Sequence, residues 1–398
     1  MSVTAPQGFR ASGVVAGLKS AGRDVALVVN DGPRFDAAGV FTANRVKAAP
    51  VLWSQQVLRG GRVRAVVLNA GGANACTGPE GFQDTHATAE HAAAGLGIGA
   101  GEVAVCSTGL IGVRLPMDRL LCGVTAAAGA LSGNGGPAAA EAIMTTDTRP
   151  KTTVVRGGAA DGGTGGGPAG GAADGWCVGG MAKGAGMLAP GLATMLVVLT
   201  TDAVADQSTL DSVLRAATRV TFDRLDSDGC MSTNDTVLLL ASGASGVTPD
   251  PAAFAEAVTE ACRDLAQQLM SDAEGATKDV AIEVTGAASE DDAVAVGRAV
   301  ARNNLVKTAL FGNDPNWGRI LAAVGTTDAA FEPDALDVAV NGVWVCRGGA
   351  AAEDRAKVDL AGRAVTITVA LHAGTATATI WTNDLSHGYV HENSAYST

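Results

Sequence analysis

The stretch GGMAKGAGMLAPGLATMLVVLTTDA, residues 179–203, places a threonine between a glycine-rich loop and an apolar strand. The loop glycines permit backbone angles that other residues avoid, and Pro190 stiffens the same loop. Such a loop can hold Thr194 in a defined geometry at the start of the strand MLVVL. The stretch therefore directs attention to the threonine hydroxyl as a reacting group.

A threonine hydroxyl is a weak nucleophile until a base lies beside it. One solution is to cleave the chain just before the threonine, so that the new α-amino group, whose reference pKa is about 7.7 to 8.0, serves as that base. The small side chain of Ala193 suits a crowded scissile bond between Ala193 and Thr194. The alternative is an ordinary junction of loop and strand, because threonine favours strands.

A second candidate is the stretch EVAVCSTGLIG, which predicts a strand that ends at Ser107 and then a tight turn. In that turn the hydroxyl of Thr108 and the backbone amide of Gly109 can point the same way. Such a pair of donors stabilises the oxyanion that forms when an acyl carbonyl is attacked. An ordinary turn between strand and helix is the alternative.

A third candidate is Glu274 in the stretch SDAEGATK, where the helix DPAAFAEAVTEACRDLAQQLM should end with Gly275 as its stop. A carboxylate at the negative end of a helix is locally unfavourable, so its presence hints at a function. Glu274 could bind a cationic substrate amine. A solvated surface glutamate is the alternative.

Two further stretches carry weaker signals. RLDSDGCMSTND departs from a calcium loop at its first position, Arg224, and at its last, Asp235, so we expect no calcium there. NAGGANACTG, residues 69–78, could hold an anion, although turns of this composition are common without a ligand. The chain has no P-loop and no dinucleotide-binding glycine motif, and we expect no metal site.

The composition of the 398-residue chain, with 47% hydrophobic residues, predicts a compact protein of two domains, and one large domain or three small ones are the alternatives. A formal net charge of −12 without any lysine or arginine cluster excludes a general phosphate-binding surface, so nucleic acid is not expected as a partner. The N-terminus lacks an apolar signal core, and no stretch approaches the roughly 18 to 20 apolar residues that span a bilayer. We therefore expect a cytoplasmic protein that does not bind membranes.

The elements that must position these residues follow a mixed pattern. Valine-rich runs such as DVALVVN and RVRAVVLNA alternate with alanine-rich amphipathic segments, which predicts mixed α/β layers. Residues 157–175, GGAADGGTGGGPAGGAADG, have no periodicity and predict a flexible surface loop. We predict an N-terminal α/β domain of residues 1–203 and a C-terminal α/β domain of residues 204–398.

Six motifs along the chain occur in one specific order, from the first third of the sequence to its last residue. They are STGLIG at Ser107, MTTDTRPK at Met144, GGMAKGAGMLAPGLATML at Gly179, DAEGATK at Asp272, DPNWGR at Asp314 and the ending ENSAYST. Together they resemble the ornithine acetyltransferase family, the glutamate N-acetyltransferases of arginine biosynthesis. The resemblance covers essentially the whole chain.

The resemblance implies a precursor that cuts itself between Ala193 and Thr194 into an α chain, residues 1–193, and a β chain, residues 194–398. Thr194 would be the nucleophile that takes the acetyl group from N2-acetyl-L-ornithine, and L-glutamate would collect it in the second half of a ping-pong cycle. Thr108 and Gly109 match the oxyanion hole. The positions that match substrate-binding residues are Thr145, Lys183, Thr194, Glu274, Asn393 and Thr398.

The family fold is similar to N-terminal-nucleophile hydrolases but distinct in connectivity, and the resemblance implies that the cleaved chains assemble as an α2β2 heterotetramer. A threonine ester conserves the energy of the acyl bond, so we expect neither a metal nor an organic cofactor. Whether acetyl-CoA is a co-substrate stays open. The alternatives are a self-processing amidohydrolase or aminopeptidase of the N-terminal-nucleophile type, and a non-catalytic protein whose glycine-rich loops bind an anion.

Overall fold

The computed structural model describes residues 2–158, 175–187 and 195–395 of the chain. Most of the predicted flexible loop therefore lies outside the described residues, as do Ala193, Thr194 and Thr398. The strands of the described part, in chain order, are β1 Phe9–Val14, β2 Val25–Asn30, β3 Ala37–Phe41, β4 Ala65–Ala70, β5 Val103–Thr108, β6 Lys151–Gly158, β7 Gly175–Lys183, β8 Leu196–Thr201, β9 Thr236–Ala241, β10 Asp279–Ala287, β11 Asp337–Val340, β12 Val343–Arg347, β13 Ala350–Ala351, β14 Ala364–Ala370 and β15 Ala376–Asn383.

The helices of the described residues cover the sheets. They are α1 Ala49–Leu58, α2 Gly78–Leu96, α3 Met117–Gly129, α4 Gly136–Ala142, α5 Gln207–Val220, α6 Pro251–Ser271, α7 Glu290–Ala301, α8 Asn304–Phe311, α9 Trp317–Val324 and α10 His387–Ala395. Among them no helix is long and apolar enough to cross a bilayer. Helix α6 corresponds to the helix predicted from DPAAFAEAVTEACRDLAQQLM.

Two sheets pack together to form the larger core. One has the strand order β1-β2-β4-β5 and the other has the order β3-β9-β8-β7-β6. Along β8, Leu196 and Val198 join the core of the four-stranded sheet, whereas Val197 and Leu199 join the core beneath α5 and α6. Because side chains of a strand alternate between its two faces, the five-stranded sheet is buried on both sides. This explains why β8 and β9 are continuous apolar runs.

A third sheet, with the order β13-β12-β11-β14-β10-β15, is built entirely from residues after Lys278 and packs against α7 and α9. The mixed α/β class predicted from the sequence is confirmed. The division into domains at residues 203 and 204 stays a prediction, and β9 from the C-terminal side of that point pairs with β3 and β8 from the N-terminal side.

Two predicted element ends differ from the structure. Strand β5 continues through Thr108, which pairs with Ala70 of β4. Helix α6 ends at Ser271, and the amide of Asp272 closes the last turn by donating to Leu269. The prediction that this helix ends at Gly275 was therefore wrong, and Glu274 lies in the turn that follows the helix.

The hairpin of β6 and β7 predicts that residues 159–174 are dispensable for folding. The two strands pair from Lys151 with Ala182 up to Gly158 with Gly175, so the connection begins and ends at neighbouring residues. A four-residue turn can close such a pair. We expect replacement of residues 159–174 by a four-residue turn to change the melting temperature by less than about 4 °C, the shift that about 1 kcal/mol produces. Calorimetry measures it, and loss of the cooperative transition would contradict the prediction.

Candidate active site

The candidate site lies where β7 ends and where β8 and β9 begin. Lys183, the last residue of β7, pairs with Leu196 of β8, and Leu196 in turn pairs with Thr236 of β9. The end of β5 faces this edge, because the Lys183 ammonium lies 3.4 Å from the hydroxyl oxygen of Thr108. Four strands from two sheets therefore bring their polar ends together.

Thr108 and Gly109 are held against the turn that follows β4. The amides of Gly71 and Gly72 both donate to the Thr108 carbonyl, at 2.9 and 3.0 Å. At Gly109 the backbone has a φ of 130°, and an added Cβ would lie 2.5 Å from the Gly72 nitrogen, so only glycine fits. These two amides of the NAGGANACTG turn serve the Thr108 loop, which weakens the alternative that this turn holds an anion.

Lys183 is a buried cation among hydroxyl groups. Its ammonium donates to the Thr145 hydroxyl at 2.8 Å. Burial and the nearby Lys151 ammonium lower the pKa of Lys183 below its usual value, although Asp147, Glu274 and Asp235 act in the opposite direction. A lysine in such surroundings can bind an anion as the ammonium, or accept a proton as the amine.

An ion cluster lies behind Lys183. Lys151 is fully buried, and its ammonium contacts Asp147 Oδ1 and Asp272 Oδ2, each at 2.6 Å. Thr148 also donates to Asp272 from its amide and its hydroxyl. Burial alone would raise the pKa of Asp147, but the ammonium groups of Lys183 and Lys151 and the Gly184 amide outweigh it and lower the pKa to about 2. Asp147 is therefore an ionised carboxylate in the protein interior.

Asp235 is a second buried carboxyl group at the site. Its Oδ1 accepts a hydrogen bond from the Met195 amide at 3.0 Å, just where the chain enters β8. Burial raises the pKa of Asp235 well above its usual value, despite that bond and the charge of Lys183. The preceding side chain, Asn234, donates to the carbonyls of Ala73 and Ser107 and so ties the start of β9 to the end of β5.

Glu274 lies on the opposite side, beside the C-terminal helix α10. Its amide donates to the Ala185 carbonyl at 2.9 Å, and its Oε2 accepts from the Asn393 side chain at 3.0 Å. An added Cβ on Gly186 would lie 2.5 Å from Oε2, so the carboxylate packs directly on that glycine. Burial and the charges of Asp228 and Glu274 raise the pKa of Tyr389, also on α10, to about 12.

These groups surround a cavity of about 220 Å³. Of the residues singled out from the sequence, it is lined by Thr108, Gly109, Thr145, Lys183 and Asn393. Glu274 lines an adjoining cavity of about 100 Å³, and Asp228 and Tyr389 line both cavities. The structure thus gathers every predicted site residue that it describes around two neighbouring cavities, whereas Ala193, Thr194 and Thr398 lie outside the described residues.

Sequence reasoning missed Asp147, Asp235 and Tyr389. Asp147 and Lys151 both lie inside the MTTDTRPK motif, where, together with Arg149, they look like ordinary surface charges. In the sequence, Asp235 stands out only as the last position of a stretch that departs from a calcium loop. Nothing in the sequence around Tyr389 distinguishes it from a surface tyrosine.

The arrangement suits a small molecule that carries both a carbonyl group and charges. Lys183 can bind a carboxylate, the strand end at Thr108 and Gly109 can receive a carbonyl oxygen, and Glu274 can bind an ammonium group. The cavities are too small for a macromolecule.

Known proteins match this chain over most or all of its length. The ArgJ family model matches residues 10–398. The arginine biosynthesis bifunctional proteins ArgJ of Streptomyces coelicolor and Thermobifida fusca are 69% and 65% identical over 399 residues, with 100% of each chain covered. A crystal structure of ornithine acetyltransferase complexed with ornithine, from Mycobacterium tuberculosis, is 53% identical over 49% of this chain and 96% of that chain, with a TM-score of 0.41.

The low pKa of Asp147 predicts a specific dependence of stability on pH. With a pKa of about 2 instead of the usual 3.8, the ionised carboxylate stabilises the fold above about pH 4, and this contribution is lost as the pH falls towards 2. We expect Asp147→Asn to lower the free energy of unfolding by about 2 kcal/mol near pH 6, with a smaller difference at pH 3.5. Urea midpoints at both pH values measure this.

The matched control is Asp31→Asn, because Asp31 pairs with Arg10 on the surface. Such an exposed pair contributes less than about 1 kcal/mol, so the control variant should unfold near the wild-type midpoint. A loss of stability in Asp147→Asn that stays the same from pH 6 to pH 3.5 would contradict the assigned charge.

Proposed function

The chain belongs to the ArgJ family, whose members are acyltransferases of arginine biosynthesis, and from this premise we propose that it moves an acetyl group from N2-acetyl-L-ornithine to L-glutamate. The products are L-ornithine and N-acetyl-L-glutamate. One observation carries the proposal: Thr108, Thr145, Lys183 and Asn393, which are distant in the sequence, line one cavity at the start of β8. Thr194 is the residue that precedes Met195 at that point of the chain.

In the proposed first half-reaction, the precursor has already cleaved itself between Ala193 and Thr194. The hydroxyl oxygen of Thr194 attacks the acetyl carbonyl carbon, and its proton passes to the Thr194 α-amino group. The amide C–N bond then breaks, and ornithine leaves with that proton on its amine. The acetyl group remains as an ester on Thr194.

The second half-reaction runs through the same groups in reverse order. The amine of L-glutamate attacks the ester carbonyl carbon and loses a proton to the Thr194 amine. The ester C–O bond then breaks, and the Thr194 oxygen takes that proton and becomes a hydroxyl again. Both tetrahedral intermediates carry an oxyanion, for which the Thr108 hydroxyl and the Gly109 amide are the proposed donors. Loss of one such donor typically lowers the rate about 10²- to 10³-fold.

The charges at the site support assignments for the two substrates. Both substrates carry an α-carboxylate, and Lys183 is the proposed partner of this shared group, with the hydroxyl of Thr145 beside it. They differ at the other end, where acetylornithine has an ammonium group. Glu274, supported by Asn393, is the proposed partner of that ammonium, and Thr398 is carried over from the family as a further contact.

Two features of the proposal rest on the family alone. Relatives are named bifunctional, which supports acetyl-CoA as a second acetyl donor for glutamate. The assembly of the cleaved chains as an α2β2 heterotetramer is proposed because the chain belongs to this family.

Self-cleavage is tested by intact mass under denaturing conditions. The wild-type protein should give two species whose masses meet at the bond between Ala193 and Thr194. Thr194→Ala should stay full length, form no acetyl-enzyme with acetylornithine, and lose acetyl transfer by at least about 10⁴-fold, because no other group replaces the nucleophile.

The control is Thr326→Ala, which changes an exposed threonine after α9 and should be cleaved and active. Normal turnover by Thr194→Ala, or an active preparation that is a single full-length species, would overturn the mechanism. Acetate release that does not respond to glutamate would instead favour the hydrolase alternative.

The proposed role of Glu274 predicts a defect that depends on the substrate. Glu274→Gln keeps the shape but removes the charge, so KM for acetylornithine should rise about 10- to 100-fold, as expected for the loss of a charged hydrogen bond. The half-reaction with glutamate should change less. Steady-state kinetics with each substrate measure this. The control is Glu256→Gln, which changes an exposed glutamate on α6. Unchanged kinetics in Glu274→Gln would remove Glu274 from the site.

A further inference from the structure

The buried carboxylate of Asp147 contacts three parts of the candidate site at once. Its Oδ2 accepts from the Thr145 amide at 3.0 Å and lies 3.9 Å from the Lys183 ammonium. Its Oδ1 accepts from the Gly184 amide at 2.7 Å and from Lys151. One side chain therefore holds the backbone at Thr145 and at Gly184, next to Lys183, and places a negative charge beside the Lys183 ammonium.

Asp147 cannot touch a substrate directly, because its side chain is completely buried behind two residues that line the cavity. Its effect on the reaction must pass through Thr145 and Lys183. Lys151 and Asp272 continue the cluster into the interior, so Asp147 is held in place from the side away from the cavity. Such an arrangement is expected of a positioning residue.

We propose that Asp147 is the positioning residue for Lys183, holding its ammonium against Thr145 and keeping it protonated at the pH of turnover. Lys151 and Asp272 fix Asp147 in turn. This inference rests on the proposed function, since it assigns a task to Lys183 in binding the substrate carboxylate. It adds a group that is not among the oxyanion-hole and substrate-binding positions carried over from the family.

The charges around Lys183 determine the direction of the expected effect. The carboxyl groups of Asp147, Glu274 and Asp235 favour its ammonium form, whereas burial and Lys151 oppose it. The Asp147 carboxylate forms an ion pair with the Lys183 ammonium, with Oδ2 and Nζ 3.9 Å apart. Loss of its charge should therefore let Lys183 lose its proton at a lower pH, and substrate binding should fail earlier on the alkaline side.

Removing Asp147 alone leaves Lys151 and Lys183 with too little opposite charge, so the single variant is destabilised and its loss of activity would not separate a positioning role from a structural one. Two double variants avoid this, because each deletes one cation and one anion of the cluster. Asp147→Asn with Lys151→Met removes the carboxylate beside Lys183. Lys151→Met with Asp272→Asn also removes one cation and one anion of the cluster but keeps Asp147.

The experiment measures kcat/KM for acetylornithine and the inhibition constant of ornithine from pH 6 to pH 10 in the wild type and both double variants. In the variant without Asp147 we expect the alkaline limb of both profiles to move down by up to about one pH unit, because Asp147 acts on Lys183 more strongly than Lys151 does. On that limb kcat/KM should fall by up to about tenfold. The variant that keeps Asp147 should show no downward movement, because it loses a repulsive cation.

The outcomes separate the two proposals. The positioning role is overturned if the alkaline limb stays in place without Asp147, or if it moves equally in both folded variants. Neither result contradicts the proposed acetyl transfer. A wild-type protein without glutamate-dependent acetyl transfer overturns the proposed function and, with it, the task assigned to Lys183. A folded variant without Asp147 that loses activity equally at every pH would assign Asp147 a structural role only.

Discussion

The antiparallel pairing of β7 with β8 is the constraint on which the site depends. Lys183 lies opposite Leu196 in this pair, so two residues on either side of the proposed nucleophile in the sequence are neighbours in the sheet. The same register sets where Met195 meets Asp235 and where Lys183 meets Thr145. If the chain is cut before Thr194, the ladder from Val178–Thr201 to Lys183–Leu196 and the cores on both faces keep the two pieces together.

The second constraint on the site is the cluster of buried charges behind the cavity. A charged side chain in the interior is costly unless an opposite charge and hydrogen bonds accompany it. Here the partners come from distant parts of the chain: Asp272 follows α6, Lys151 opens β6, and Lys183 closes β7. The cluster therefore forms only when these elements have packed, which couples the electrostatics of the cavity to the completed fold.

The strands and helices could largely be predicted from the sequence, and the charged interior could not. Runs such as Val25–Asn30 are apolar because both faces are buried, and that pattern is local. Asp147 and Lys151 look like ordinary surface charges in the sequence, because their burial depends on Asp272, which lies 121 residues beyond Lys151. The end of α6 was misplaced because Gly275 suggested a stop, whereas the backbone closes the helix at Asp272.

The walls of the two cavities belong to different parts of the molecule. The Thr108 and Lys183 side is built from the two packed sheets, whereas the turn that carries Glu274 is tied to Asp384, ahead of α10, through the amides of Thr277 and Lys278. Changes in that turn and in α10 can therefore alter which amino acid is accepted without disturbing the strand ends where the chemistry is proposed. In evolutionary terms, a duplicated gene could acquire a new acceptor specificity while inheriting the acyl-transfer machinery unchanged.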